Sequence, residues 1–86
     1  MAEPAAGHEV RVHYYALLRD EAGCAEERVV TGSATAGELY AELRERYRFS
    51  LPPERLRVAI NAGFADWDTR LAAGDLVVFI PPVAGG

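Results

Sequence analysis

The chain has 86 residues, half of them hydrophobic and 26% charged, with a formal net charge of −4. That balance sustains one domain and one core, in the size range where roughly 60–65% of the unfolded surface is buried, and it excludes a disordered chain. The acidic excess opposes binding to a phosphate backbone, and no run of about 20 apolar residues offers a membrane span, so neither nucleic acid nor a membrane is an expected partner.

The opening MAEPAAGHE carries an acid where a signal peptide would carry bases, and it has no apolar stretch. Residues 1–8 therefore read as a flexible lead, and the expected compartment is the cytoplasm. A single cysteine, Cys24, cannot form an internal disulfide and suits a reducing compartment. The nine basic residues are all arginine. A GC-rich genome writes arginine for lysine in this way; the same composition also leaves no side-chain amine to attack an activated acyl group.

From Val10 the apolar side chains of Val10, Val12 and Tyr14 alternate with Arg11, His13 and Tyr15, the period of a strand with one face inward. The stretch Leu17 to Glu27 holds a glycine and several charges and reads as a long connection to a second strand at Arg28-Val29-Val30-Thr31. Thr35 followed three residues later by Glu38 forms a capping box, and Leu39, Leu43 and Tyr47 then recur at helical spacing beside Tyr40. The spacing predicts a helix over about 36–48, stopped before Pro52-Pro53, and it is the one principal helix expected. Val58 and Ile60 point inward from a short third strand turned by Asn61-Ala62-Gly63, Phe64 to Trp67 is a short edge strand, and Leu76 to Ile80 is an unbroken apolar run of strand length.

This order predicts an α+β domain over residues 9–80, with one principal helix packed on one face of a mixed sheet. The first and last strands are the most apolar and belong side by side at the centre, which is the β-grasp or ubiquitin-like topology. A single helix covers only one face. If Val77 and Phe79 point at it, then Leu76, Val78 and Ile80 face outward near Tyr15, and an uncovered apolar strip of that kind marks a partner surface.

Residues 81–86, PPVAGG, follow as an extended tail. Pro81 and Pro82 fix φ and remove two donors, so the chain leaves the sheet along a polyproline-like path. Val83 and Ala84 are small and Gly85-Gly86 have no Cβ, a shape that threads a narrow tunnel and presents a carboxylate at its tip.

The ending G-D-L-V-V-F-I-P-P-V-A-G-G and the opening V-H-Y-Y-A-L-L-R-D-E-A-G resemble the β-grasp sulfur carriers, a family that includes the small subunit of molybdopterin synthase and the thiamine sulfur carrier. The resemblance covers residues 9–86. It implies that the Gly86 carboxylate is adenylated by an activating enzyme using ATP, converted to a thiocarboxylate, and carried into a large catalytic subunit by Pro81, Pro82, Val83, Ala84 and Gly85. There sulfur would pass to a cyclic pterin precursor to build the dithiolene of molybdopterin. Catalytic acids and bases would lie on that large subunit, within a heterotetramer, so the chain would be no enzyme on its own and would hold no bound cofactor. By the same matching, Tyr15, Arg19 and Ile80 fall on the partner-facing surface, where Leu76 and Val78 also lie. Ile80 stands where the family often has an aromatic residue, which bears on partner choice and not on the chemistry.

The remaining polar residues have plainer readings. Cys24 has no neighbouring His or second Cys to activate it, and His8 and His13 lack ligand spacing and read as surface residues, so no metal site is expected. Asp66, Asp68 and Asp75 stand where turns favour aspartate, and Trp67 reads as packing over the sheet edge. Besides molybdopterin synthesis, two other functions fit the same tail: sulfur carriage for thiamine or cysteine synthesis, and a ubiquitin-like modifier joined to lysines of target proteins.

Overall fold

The computed structural model describes residues 7–82. In chain order they form β1 (His8–Tyr14), α1 (Ala16–Ala22), β2 (Glu26–Thr31), α2 (Ala36–Tyr47), β3 (Arg57–Ile60), β4 (Gly63–Ala65) and β5 (Leu76–Ile80), with a 3-10 turn at Pro53–Arg55. The five strands make one sheet in the order β2-β1-β5-β3-β4. β1 and β5 lie parallel at its centre, and the other neighbours are antiparallel. The two most apolar strands thus sit where they bury most surface, as their sequences predict.

Register decides which side chains enter the core. Val12 lies beside Val77 and Tyr14 beside Phe79 across the parallel pair, while Val58 and Ile60 of β3 meet Phe79 and Val77 from the other side. All except Ile60, which packs against the core's margin, are essentially inaccessible to water. α2 lays Leu39, Tyr40 and Leu43 against this face, and each buried leucine contributes about 1.5–3 kcal/mol relative to exposure. Aromatic rings fill the space between helix and sheet: Tyr40 meets Phe79 at 5.1 Å between centroids, and Phe49 meets Tyr14 at 5.7 Å.

The structure departs from the sequence reading in several places, and β2 begins at Glu26, two residues before the expected start. The connection after β1 contains a second helix, α1, which places Leu18 in the same core. Tyr15 is consequently the N-cap of α1, one residue beyond the first strand, and has no side-chain capping bond. β1 begins at His8, which pairs with Thr31, so His8 is no part of a lead; it is half-buried and its Nε2 has no hydrogen-bond partner among the described residues. Trp67 is the packing residue expected, but its half-buried ring reaches past the edge to the central strand, stacked on Phe79 at 6.1 Å and 13°.

Candidate functional site

Alternation along β5 buries Val77 and Phe79 and leaves Leu76, Val78 and Ile80 half-exposed on the sheet face turned away from the core. β3 adds Arg57 and Ala59 to that face, opposite Ile80 and Val78, and β4 adds Phe64 opposite Ala59. Phe64 is 70% exposed, and the Arg57 guanidinium lies 5.4 Å from its ring centroid. On the other side, β1 sets Arg11 next to Leu76 and His13 next to Val78. The result is an apolar strip along the central strand, bordered by guanidinium groups.

The strip is rigid at its entry. Asn61, in the left-handed region at φ 54° where asparagine is tolerated, accepts a hydrogen bond from the Leu76 amide at 3.0 Å and donates to Asp75 at 2.9 Å. Asp75 also accepts the Ala72 amide at 2.8 Å, and the Asp75 carbonyl accepts the Arg11 amide at 2.9 Å. Gly74, at φ 86°, makes the turn that presents these groups, and its amide donates to the Glu9 carbonyl at 2.8 Å.

At its far end β5 runs straight into Pro81, half-buried, and Pro82, exposed, alongside the Glu54–Arg57 segment. Proline cannot donate to a ladder, so pairing with β3 stops with Arg57 and Ile80 and the chain departs there. Tyr15 is 50% exposed just past the end of β1, and Arg19 is exposed on α1. Val83, Ala84, Gly85 and Gly86 lie outside the described residues. Phe64, Arg57 and the Arg11–Arg28 cross-strand pair belong to the same face but have no sequence signal of their own; only strand register brings them beside β5.

Titratable groups with displaced equilibria lie on the opposite, core side. The Glu27 carboxylate accepts the hydroxyls of Tyr14 at 2.5 Å and Tyr47 at 2.7 Å. Burial first, then this carboxylate, raises both phenols. The same two causes in the same order push the Cys24 thiol up, away from the thiolate a sulfur relay would require. Among the described residues no group of three His, Cys, Asp or Glu side chains converges as metal ligands would, and no helix is long and apolar enough to cross a membrane.

A mixed sheet with parallel first and last strands at its centre, helices against one face and a tail leaving the central strand defines a β-grasp protein of the ubiquitin-like class. The chain belongs to the ThiS family, whose model matches residues 12–86. It is 35% identical to the molybdopterin synthase sulfur carrier subunit of Mycobacterium tuberculosis over 81 residues, 91% of this chain and 98% of that protein. Small archaeal modifier protein 1 of Haloferax volcanii superposes with a TM-score of 0.74 at 27% identity, covering 90% of this chain and 100% of the other. A chain in the complex of subunits 1 and 2 of molybdopterin-converting factor from Helicobacter pylori gives a TM-score of 0.62 at 26% identity, covering 91% and 99%. The protein is thus a small carrier of the ThiS type.

Proposed function

We propose that the chain is the sulfur carrier subunit of a molybdopterin synthase, with Gly86 as the acyl end. The observation that supports this reading is the exit of the central strand: Pro81-Pro82 leave β5 at the margin of a half-exposed apolar strip, so one docking event would both cover the strip and aim the tail. Four further residues span at most about 13 Å when extended, so the chemistry would take place on the partner within that distance of the docked face.

The chemical sequence follows from the poor electrophilicity of a carboxylate. An activating enzyme joins the Gly86 carboxylate to the α-phosphorus of ATP and releases pyrophosphate, creating an acyl adenylate. A sulfur nucleophile then displaces AMP and leaves a thiocarboxylate. Inside the large catalytic subunit the thiocarboxylate sulfur attacks a carbon of a cyclic pyranopterin precursor and displaces an oxygen substituent. Water then cleaves the acyl–sulfur bond, leaving sulfur on the pterin and regenerating the Gly86 carboxylate, and a second loaded carrier supplies the other sulfur of the dithiolene. Val83, Ala84 and Gly85 keep the tail narrow enough to enter, Pro81 and Pro82 keep it extended, and Tyr15, Arg19, Leu76, Val78 and Ile80 form the docking surface. The acids and bases of the transfer belong to the large subunit, in a heterotetramer, so this chain acts as cosubstrate.

The test is intact mass and product formation. Incubated with its activating enzyme, ATP and a sulfur donor, the wild-type chain gains the mass of one sulfur in place of one oxygen and supports pterin dithiolene synthesis. Deletion of Gly86, or one residue added after it, abolishes transfer while fold and partner binding persist. Normal product from either variant refutes the reading. A second reading, attachment to protein lysines, draws on the likeness to the archaeal modifier protein. It predicts adducts on larger proteins in place of a free thiocarboxylate.

A further inference from the structure

The sheet face that carries the strip also carries an unusual charge arrangement. Arg11 and Arg28 are directly opposite each other in the antiparallel β1–β2 register, and both are exposed. Like charges in directly opposed positions of a strand pair destabilise the sheet. Neither arginine is ion-paired: among the described residues the ion pairs are His13–Glu26 at 2.9 Å and Arg46–Glu42 at 3.2 Å. Arg57 stands across the strip, its guanidinium occupied by the Phe64 ring.

A chain with net charge −4 therefore concentrates two guanidiniums outside any ion pair at one register position. That position is contiguous with the apolar strip, because Arg11 is also the β1 neighbour of Leu76. We infer that Arg11 and Arg28 form a carboxylate-binding clamp, and that the large catalytic subunit presents a pair of Asp or Glu side chains to it beside an apolar seat for Leu76, Val78 and Ile80. This rests on the docking role given to the strip above.

A polyanion fits less well than a protein carboxylate. Glu9 lies two residues before Arg11 on its strand and Glu26 two residues before Arg28, so a continuous phosphate chain laid across the face would meet carboxylates on either side of the clamp. A local pair of carboxylates meets only the arginines. Guanidinium binds carboxylate in a planar, two-bond geometry, which adds orientation to attraction and would fix the direction in which the tail departs.

The inference makes opposite predictions for folding and for binding. Arg28→Glu places an acid directly across from Arg11, so the isolated domain melts higher, by roughly 1–5 °C. The same change repels the partner's carboxylates, so affinity for the large subunit falls roughly ten-fold or more at low salt, and the salt dependence of binding flattens. Calorimetric titration of the large subunit with wild type, Arg28→Glu and Ile80→Asp reads both effects. Wild-type affinity in Arg28→Glu with binding lost in Ile80→Asp overturns the clamp and leaves the docking strip standing. Wild-type affinity in both variants overturns the docking reading itself. Capture of the wild-type chain by duplex DNA through these arginines, with large-subunit binding untouched by their replacement, also overturns the clamp.

Discussion

Glu27 shows how one side chain can serve two neighbours, one buried and one half-buried. It lies opposite Val12 on the inward side of β2, and its carboxylate accepts hydroxyl protons from Tyr14, fully buried, and from Tyr47 on α2. Hydrogen bonds to a charged acceptor contribute about 1.5–3 kcal/mol each, and a buried donor left unpaired costs a comparable amount. Glu27→Ala should therefore lower stability by roughly 2–4 kcal/mol in urea denaturation, whereas Tyr47→Phe, which removes donor and demand together, should cost about 1 kcal/mol or less. The phenols add a pH dependence of definite sign. Tyr40 is pushed from its ordinary 10.0 to about 12 by burial, and Tyr14 and Tyr47 are raised by burial and then by Glu27. Below pH 10 these tyrosines are protonated in the folded and unfolded chain alike, so they give stability no slope. Above pH 10 the unfolded chain releases phenolic protons that the folded chain retains, and stability falls. Urea midpoints should lose this contribution progressively between about pH 10 and 12, with a shallower decline in Tyr40→Phe; an unchanged decline would remove Tyr40 from the explanation.

At the scale of an element, α2 is held at both ends by local chemistry. Thr35 Oγ1 accepts the Glu38 amide at 3.2 Å, while the Glu38 carboxylate reaches past the cap to the Ala34 amide at 2.8 Å. Its C-cap, Arg48, is left-handed at φ 60° and ψ 45°, a conformation that costs an L residue with a side chain about 1 kcal/mol and costs glycine little. Thr35→Ala should therefore destabilise by about 0.5–2 kcal/mol, and Arg48→Gly should stabilise by roughly 0.5–1 kcal/mol, both readable as shifts in thermal midpoint. The strength of these local signals explains what was legible beforehand. Capping box, apolar stripe and Pro-Pro stop place α2 almost to the residue, and two-sided hydrophobicity places β5 at the sheet centre. α1 carried no such marks: it is seven residues long, has no side-chain cap, and ends at Gly23, which alone looks like a loop residue. Glu27 was hidden for a related reason. Beginning the second strand at Arg28 leaves that acid in a connection, while the observed strand starts at Glu26 and turns it inward. The outward strip followed from the period of β5, but Phe64 and the arginine pair required cross-strand register, which no single stretch of sequence contains.

For the whole molecule, the β-grasp separates the face that holds the fold together from the face that remains available. The core of Val10, Val12, Tyr14, Val77 and Phe79 with Leu18 of α1 and Leu39 and Leu43 of α2 lies on one side, and Ile80 is half-exposed on the other. Its register neighbour there is Arg57. With the Arg57 guanidinium held over the Phe64 ring, an aspartate at position 80 would stay partly solvated and unpaired, so Ile80→Asp should change folding stability by no more than about 1 kcal/mol. Association is a different matter, because docking would bury that carboxylate in an apolar seat without a partner and remove the methylene packing that isoleucine supplied. A buried unpaired charge at the centre of an interface costs several kcal/mol, so affinity for the large subunit should fall at least roughly 30-fold. Sulfur transfer should fall with it at limiting partner concentration and recover as the large subunit is raised, since the tail and its acyl end are unchanged. That recovery separates a docking residue from a tail residue: a Gly86 deletion stays inactive at any concentration. Unfolding of Ile80→Asp at ambient temperature would instead place Ile80 among the residues that hold the sheet together, and the outward face would need a different owner.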